Sequence, residues 1–165
     1  MSNLSSNPNF PRWYNFVVRE KIIHPPTVFT ISVILEVFLH FFFPVAKIIP
    51  LGFRYAGWVL ILFSMVLSLW QFFTMNRKTP IPYGSNPKTL ITEGPFKYTR
   101  NAFYVSLNVI ALGVAVYLRD LSPFIVVIIE FLVFDKYLIP PEEKILEKNF
   151  GQSYKDYKSK ARRWF

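Results

Sequence analysis

The ionisable side chains inside apolar runs of this sequence are the first candidates for chemistry. Glu36 and His40 lie four residues apart, so a helix would present both on one face. Glu130 stands inside a later apolar run, and Asp135 lies near the end of that run. Because an ionisable group is costly in an apolar environment, such residues are functional or paired. We expect Glu36 and His40 to pair with each other or with a neighbouring helix, unless they are functional.

Metal and thiol chemistry find no support in the composition. The chain of 165 residues contains no cysteine, which excludes disulfides, thiolate catalysis and cysteine-bound metals. Its two histidines, His24 and His40, are not spaced as ligands of one metal ion. We therefore predict no metal site.

An acidic pair, Glu142-Glu143, follows Pro141 near the start of a polar C-terminal stretch. Carboxylates in the first turn of a helix interact favourably with the helix dipole, which would make the pair structural. A carboxylate at the mouth of a helical bundle could instead hold a cationic amine, which would make it functional. Composition alone favours the structural interpretation.

A second unusual stretch, EGPFKYTRNAFY at residues 93–104, lies between two apolar runs. It combines Gly94 and Pro95 with two basic residues and four aromatic rings. The loop before it carries three more prolines, and this density of proline and glycine excludes regular helix over much of the loop. The loop is also too long and too aromatic for a simple connection.

The elements that must position these residues are long apolar helices. Hydrophobic residues make up 52% of the chain, and they are concentrated in four blocks, at residues 28–46, 53–75, 102–118 and 123–139. A helix needs about 20 residues to cross a bilayer, so the last two blocks need flanking residues or a locally thinner membrane. The pattern predicts an all-α polytopic membrane protein with about four transmembrane helices. A very apolar soluble helical bundle is the alternative.

We expect a single domain over residues 1–165 in three parts. Residues 1–26 form an interfacial N-terminal segment, residues 27–140 the transmembrane core, and residues 141–165 a cytosolic amphipathic helix. Pro140 and Pro141 are expected to end the fourth span, with Pro141 also opening the last helix. The apolar face of that helix comprises Ile145, Leu146, Phe150, Tyr154 and Tyr157.

The net charge of +9 is unevenly distributed along the chain. Basic residues concentrate in the N-terminal segment, in the loop over residues 76–101 and in the C-terminal tail. Because basic residues are retained on the cytosolic side of a membrane, both termini and this loop are predicted to be cytosolic. A basic tail could also bind nucleic acid, but the alternation with apolar blocks favours the membrane. We therefore expect no nucleic-acid partner.

Two stretches resemble the isoprenylcysteine carboxyl methyltransferase and phospholipid methyltransferase superfamily. KTLITEGPFKYTRNAFY, at residues 88–104, is similar to that family's Leu-Val-Thr-x-Gly-Pro-Tyr-x-Tyr-x-Arg signature. EEKILEKNFGQSYKDYKSKARRW, at residues 142–164, is similar to its C-terminal signature, a Glu-Glu pair followed by Phe-Gly-x-x-Tyr-x-x-Tyr. The resemblance covers roughly residues 36–164, with both signatures in the family's order around the apolar blocks.

The resemblance implies methyl transfer from S-adenosylmethionine to an amphiphilic acceptor in the membrane, either a carboxylate or an amine. The acceptor would be a lipophilic small molecule or a lipidated substrate. Family members bind the cofactor in a pocket at the cytosolic membrane face, enclosed by the loop, the start of the third span and the tail helix. Carried over by position, the cofactor-binding residues are Lys88, Thr89, Leu90, Ile91, Gly94, Phe96, Tyr98, Asn101, Ala102, Phe103, Tyr104 and Glu142.

Roles follow from the side chains at those positions. Gly94 and Pro95 would let the backbone approach the cofactor closely. The aromatic rings would stack on adenine or contact the sulfonium, and Glu142 would neutralise the methionine ammonium. The candidates for catalysis are Arg100, Arg163 and Glu143.

Two departures from the family pattern bear on the substrate. Ala102 stands where the family has proline, and Leu138 stands where the prenylcysteine enzymes carry an arginine for the substrate carboxylate. A prenylcysteine carboxylate is therefore not a safe prediction, although Lys136 lies close by. Two alternatives remain: an NADPH-dependent membrane reductase, since sterol reductases share a similar C-terminal signature, and a non-catalytic membrane partner protein.

Overall fold

The computed structural model describes residues 24–78 and 89–164, and nearly all the secondary structure in them is helical. The described residues form six α-helices: α1 (Pro25–Phe42), α2 (Ala56–Lys78), α3 (Ala102–Leu118), α4 (Leu121–Val133), α5 (Ile139–Phe150) and α6 (Gln152–Lys160). Short 3-10 helices at Leu51–Phe53 and Gly94–Lys97 precede α2 and α3, and a π-helical turn at Phe134–Leu138 joins α4 to α5. The all-α prediction is thus confirmed for the described residues. Most of the predicted interfacial segment at residues 1–26 lies outside them.

Two helices of the described part are long and apolar enough to cross a bilayer: Pro25–Phe42 and Leu51–Arg77. Their apolar side chains face outward, as Phe41 (71% exposed) and Val59 (66% exposed) illustrate. An exposed apolar surface of this extent fits lipid and not water. The third predicted block forms α3, which is apolar but has only 17 residues, and the fourth forms α4, with 13. Spans at these two helices remain predictions.

Helices α2 and α3 pack closely because small residues lie at their crossing. A Cβ atom added to Gly57 would lie 2.4 Å from the carbonyl oxygen of Gly113. Two turns along α2, the hydroxyl of Ser64 donates a hydrogen bond to the carbonyl oxygen of Ser106 at 2.6 Å. Close backbone approach and interhelical hydrogen bonds are the usual means by which helices associate in membranes.

Helices α1 and α4 bury polar groups against each other. Glu36 is fully buried and lies near Glu130, which is 1% exposed, and neither carboxylate has a hydrogen-bond partner among the described residues. His40 pairs through Nδ1 with the carboxylate of Asp120, the residue that precedes α4. For His40 the structure confirms the expected pairing with a neighbouring helix, whereas the carboxylate of Glu36 pairs neither with His40 nor with another group of the described residues.

Helix α5 begins at Ile139, so the prediction that Pro141 opens the last helix is confirmed to within two residues, and the backbone that leads into it stays helical. Both prolines lie in the first turn of α5, where a proline removes no needed donor. The π turn ahead of them closes with a hydrogen bond from the amide of Ile139 to the carbonyl oxygen of Phe134. This wider turn joins α4 to α5 with helical backbone angles at Val133, Leu138 and Ile139.

The C-terminal tail forms two helices, where the sequence predicted one. Gly151, with φ of +51°, separates α5 from α6, and this left-handed conformation suits glycine. The predicted apolar face is largely confirmed, since Tyr154, Tyr157 and Ala161 form a buried cluster with Leu90, Leu146 and Phe150 against it. Ile145 is 40% exposed and lies outside this cluster.

Candidate active site

The C-terminal tail closes against the residues before α3. The amide of Arg100 donates to the carbonyl oxygen of Arg162 at 2.9 Å, next to a bridge between Thr99 and Arg162. The carbonyl oxygen of Arg163 accepts hydrogen bonds from the side chains of Thr99 and Asn101, both at 3.0 Å. These bonds bring both signature stretches to one end of the helical bundle, which we call the tail end (residues 89–104 and 135–164).

Gly94 is needed here for packing on α2. Its φ of +60° is a conformation that glycine adopts readily, and an added Cβ atom would lie 2.5 Å from Oγ1 of Thr74. The neighbouring Pro95 is buried, and the carbonyl oxygen of Phe96 accepts a hydrogen bond from the hydroxyl of Tyr157 at 2.6 Å. The space beside Gly94 is thus filled by Thr74, whereas the sequence interpretation assigned it to a ligand.

An ion cluster lies at the centre of the tail end. Glu143 accepts hydrogen bonds from Nη2 of Arg100 at 2.9 Å and from Nη2 of Arg163 at 2.8 Å. Asp135 Oδ1 accepts from Nη1 of Arg163 at 3.3 Å and from Nε1 of Trp164 at 3.0 Å. Burial opposes ionisation of Glu143, but the hydrogen bonds from Arg163 and Arg100 outweigh it and hold its pKa below the ordinary value.

The three predicted catalytic residues therefore meet in one cluster. Arg100 is almost enclosed, with 9% of its side chain exposed, and Nη1 donates to the carbonyl oxygens of Lys158 and Ala161. Its contacts hold the end of α6 against the loop. Arg163 keeps 35% of its side chain exposed, so it can also face a ligand. The catalytic roles of Arg100, Arg163 and Glu143 stay predictions.

Glu142 lies beside this cluster in a different environment. Its side chain is exposed to solvent, although neighbouring protein atoms partly desolvate its carboxylate, and we call this site the recess at Glu142. This desolvation raises the pKa of Glu142 to about 7, against the opposing effect of the neighbouring Tyr104 hydroxyl. Tyr104 is 3% exposed and packs edge-on against Phe134, with ring centroids 5.0 Å apart. A cationic group in this recess would stabilise the Glu142 carboxylate as an anion.

Comparison with known proteins decides the family. The family model described as "Phospholipid methyltransferase" matches residues 53–153, which is more than half of the chain. The chain belongs to the phospholipid methyltransferase family. It is also similar to an uncharacterized protein of Haemophilus influenzae, 41% identical over 61 residues, a match that covers 37% of this chain and 97% of that protein. The resemblance predicted from the two signatures is confirmed, and the chain is a member of a membrane methyltransferase family.

Some of the predicted cofactor-binding residues lie close to one another at the tail end. Tyr104 contacts Glu142, and the ring of Phe103 packs 6.3 Å from that of Tyr104. Asn101 is buried and bonds to the tail, as described above. Ala102 is fully buried, so its side chain fits the start of α3 into the core and is not open to a ligand.

The other predicted cofactor residues lie elsewhere at the tail end. Leu90 packs on the tyrosine cluster of α6, and Tyr98 is 60% exposed, with its ring centroid 6.4 Å from that of Trp70 on α2. Tyr98 lines a cavity of about 150 Å³ there. Thr89 and Ile91 belong to the start of the described loop, and Lys88 falls outside the described residues. Binding by any of these residues stays a prediction.

Trp164 of the ion cluster was not predicted as a site residue, and Asp135 was named only as an ionisable candidate near the end of an apolar run. Asp135 and Trp164 join each other and Arg163 in the tail end. A spacing of eight residues between Asp135 and Glu143, close to two helical turns, could have indicated a shared face. Trp164 gives no such signal, because its partner lies 29 residues away in the chain.

Proposed function

We propose that this chain transfers a methyl group from S-adenosylmethionine to an amphiphilic acceptor held in the membrane. Membership of a methyltransferase family supports the reaction class. The observation that carries the proposal is the site at Glu142, where the two family signatures meet. The pKa of the Glu142 carboxylate is raised, and this carboxylate does not belong to the ion cluster. Perturbed carboxylates in recesses are typical of functional sites.

The residues at the recess fit a cofactor with a cationic amino-acid end. Glu142 would accept hydrogen bonds from the methionine ammonium, and Tyr104 would fix the position of the Glu142 carboxylate. When bound, the cofactor supplies a methyl group on a positively charged sulfur, which is already activated for transfer. The protein therefore needs chiefly to align the acceptor and exclude water.

The acceptor's polar end would lie between Glu142 and the exposed part of Arg163. For a carboxylate acceptor, Arg163 would orient the anion, and no general base is needed. For an amine acceptor, a carboxylate would have to take a proton. The proposal includes both acceptor classes. It also includes the prediction that the tail end faces the cytosol.

Methyl transfer into lipid tests the proposal. Purified protein in detergent would be incubated with S-adenosylmethionine labelled in its methyl group and with a total lipid extract, and the organic phase would be counted. We expect label in lipid with the wild-type chain and with Glu147→Gln, a control at an exposed site of α5. Glu142→Gln should lose most of the transfer. Absence of transfer by the wild-type chain to any lipid or lipidated acceptor would contradict the proposal.

The two alternatives, a membrane reductase and a non-catalytic partner protein, have less support than methyl transfer. The matched family is a methyltransferase family, which gives no support to an NADPH-dependent reductase or a non-catalytic partner protein. A parallel titration with NADPH would detect the reductase alternative directly.

A further inference from the structure

Two carboxyl groups lie inside the helical bundle where α1 and α4 meet. Glu36 of α1 has no exposed surface, and Glu130 of α4 is 1% exposed. All four of their carboxyl oxygens are buried, and none has a hydrogen-bond partner among the residues that the structure describes. The two groups are near enough to repel each other if both are charged. Two carboxylate anions would therefore be unstable at these positions.

The helices around this pair provide no cation to neutralise it. Helices α1, α3 and α4 pack on one another, and their sequences contain no lysine or arginine. The one histidine within them is His40, a turn beyond Glu36, and it already pairs with Asp120. The tyrosines of α3 are Tyr104, which packs on Phe134, and Tyr117, which lies under Arg54. An unpaired carboxylate in an apolar interior costs far more free energy than its protonated form.

The burial of the four oxygens identifies what can bind there. A metal ion or an organic cation needs space and several oxygen ligands, and no group of three or more acidic, histidine or cysteine side chains occurs in the described part of the chain. A proton needs no cavity, because it forms a covalent O–H bond with a carboxyl oxygen. Protonation of one group removes one of the two charges and turns that group into a hydrogen-bond donor.

We propose that Glu36 and Glu130 form a proton-binding site between α1 and α4, in which at least one carboxyl group stays protonated at neutral pH. Two interacting carboxyl groups take up and release their protons as a pair. Loss of the bound proton would leave uncompensated charge in the contact between the helices, so the proton keeps α1 packed on α4. The site is separate from the recess at Glu142, and the inference goes beyond the proposed function without resting on it.

Infrared spectroscopy tests the proposal without a probe having to enter the site. A protonated carboxyl group has a C=O stretching band at higher frequency than the carboxylate and amide bands. We expect this band from the purified chain in sodium-free buffer at pH 7, and we expect it to fall when Glu36→Gln and Glu130→Gln are combined. Glu147→Gln should leave the band unchanged, because an exposed carboxyl group is ionised in more than about 99% of molecules at pH 7.

Labelling with dicyclohexylcarbodiimide is a second measurement, which uses the wild-type chain and does not depend on the folding of a variant. The O–H proton of a carboxyl group moves to a nitrogen of this apolar reagent as the carboxyl oxygen bonds to its central carbon. We expect label on Glu36 or Glu130 at least about tenfold above that on Glu147. An equal band in the wild-type chain and the double variant, or equal labelling of all three residues, would overturn the proposal. Loss of both signals on addition of sodium ions would also overturn it, since the occupant would then be a metal ion.

Discussion

Adjacent carboxylates of α5, Glu142 and Glu143, have opposite pKa shifts because their partners differ. Glu143 is buried and meets two guanidinium groups, whereas Glu142 is exposed and its neighbour Tyr104 does not offset the desolvation of its carboxylate. The first arrangement is a stable ion pair. The second arrangement favours the ionised form of Glu142 when a cation binds beside it. This contrast gives Glu143 a structural part in the ion cluster, beside its predicted catalytic role, and supports the proposal that Glu142 binds a ligand.

The pKa of Glu142 predicts how cofactor binding depends on pH. A cationic ammonium binds the ionised carboxylate, and a pKa of about 7 means that this form predominates only above neutral pH. Affinity for S-adenosylhomocysteine should therefore rise about five- to tenfold from pH 6 to pH 7.5. Titration calorimetry at several pH values measures this rise. A similar rise in Glu142→Gln would show that another group titrates.

Loss of the Glu143 carboxylate should destabilise the fold. Glu143→Gln leaves Arg100 buried with a weaker partner, which should lower the free energy of unfolding by about 3 kcal/mol. Glu147→Gln is the matched control, because Glu147 and Lys158 are exposed and 4.0 Å apart, a pair contributing less than about 1 kcal/mol. Thermal unfolding in detergent compares the two variants. Equal effects would contradict a structural role for the ion cluster.

The ion pairs of Glu143 also predict how the stability of the fold changes at acidic pH. Because its folded-state pKa lies below the ordinary value of 4.5, Glu143 stabilises the fold above that pH. This stabilisation is lost as the pH falls from 4.5 through the lowered pKa. The wild-type chain should thus lose stability in that window, and Glu143→Gln should lose less there.

At the scale of helices, apolar periodicity and turn residues allowed some boundaries to be predicted. Helix α3 begins and ends at residues 102 and 118, as expected from its block of apolar residues. The junction of α4 and α5 was not predictable in the same way. Prolines usually mark helix ends, but a helix can continue when they fall in a first turn and a π turn precedes them.

The crossing of α2 and α3 gives a prediction at this scale. Gly57→Ala would place a methyl group against the backbone of Gly113, so the helices must separate. We expect a loss of about 1–3 kcal/mol in stability. Gly52→Ala is the control, since no atom lies within 4 Å of its added Cβ. Thermal unfolding of both variants provides the measurement, and equal melting temperatures would mean that the crossing is looser than described.

Contacts between distant segments are the part of the molecule that one sequence does not reveal. His40 and Asp120 are 80 residues apart, and nothing local to either residue indicates the pair. More could be predicted about the site than about such pairs, because the site residues belong to two sequence signatures in a fixed order. Yet the signatures gave no indication that Thr74 fills the space at Gly94, or that Tyr98 faces α2.

At the scale of the whole molecule, the described residues fall into two parts. Two outward-facing apolar helices suit contact with lipid, and the charged tail end suits contact with polar ligands. Our central claim is that the recess at Glu142 holds S-adenosylmethionine at that division. The acceptor then approaches from lipid, and the cofactor approaches from the polar side.

Isothermal titration of the purified chain with S-adenosylhomocysteine at pH 7.5 tests this claim most directly. We predict one binding site in the wild-type chain and in Lys97→Ala, a control at an exposed residue of the same loop. Glu142→Gln should weaken binding at least about tenfold, because the ammonium loses its charged partner. No binding by the wild-type chain, or equal affinity in Glu142→Gln, would contradict the claim.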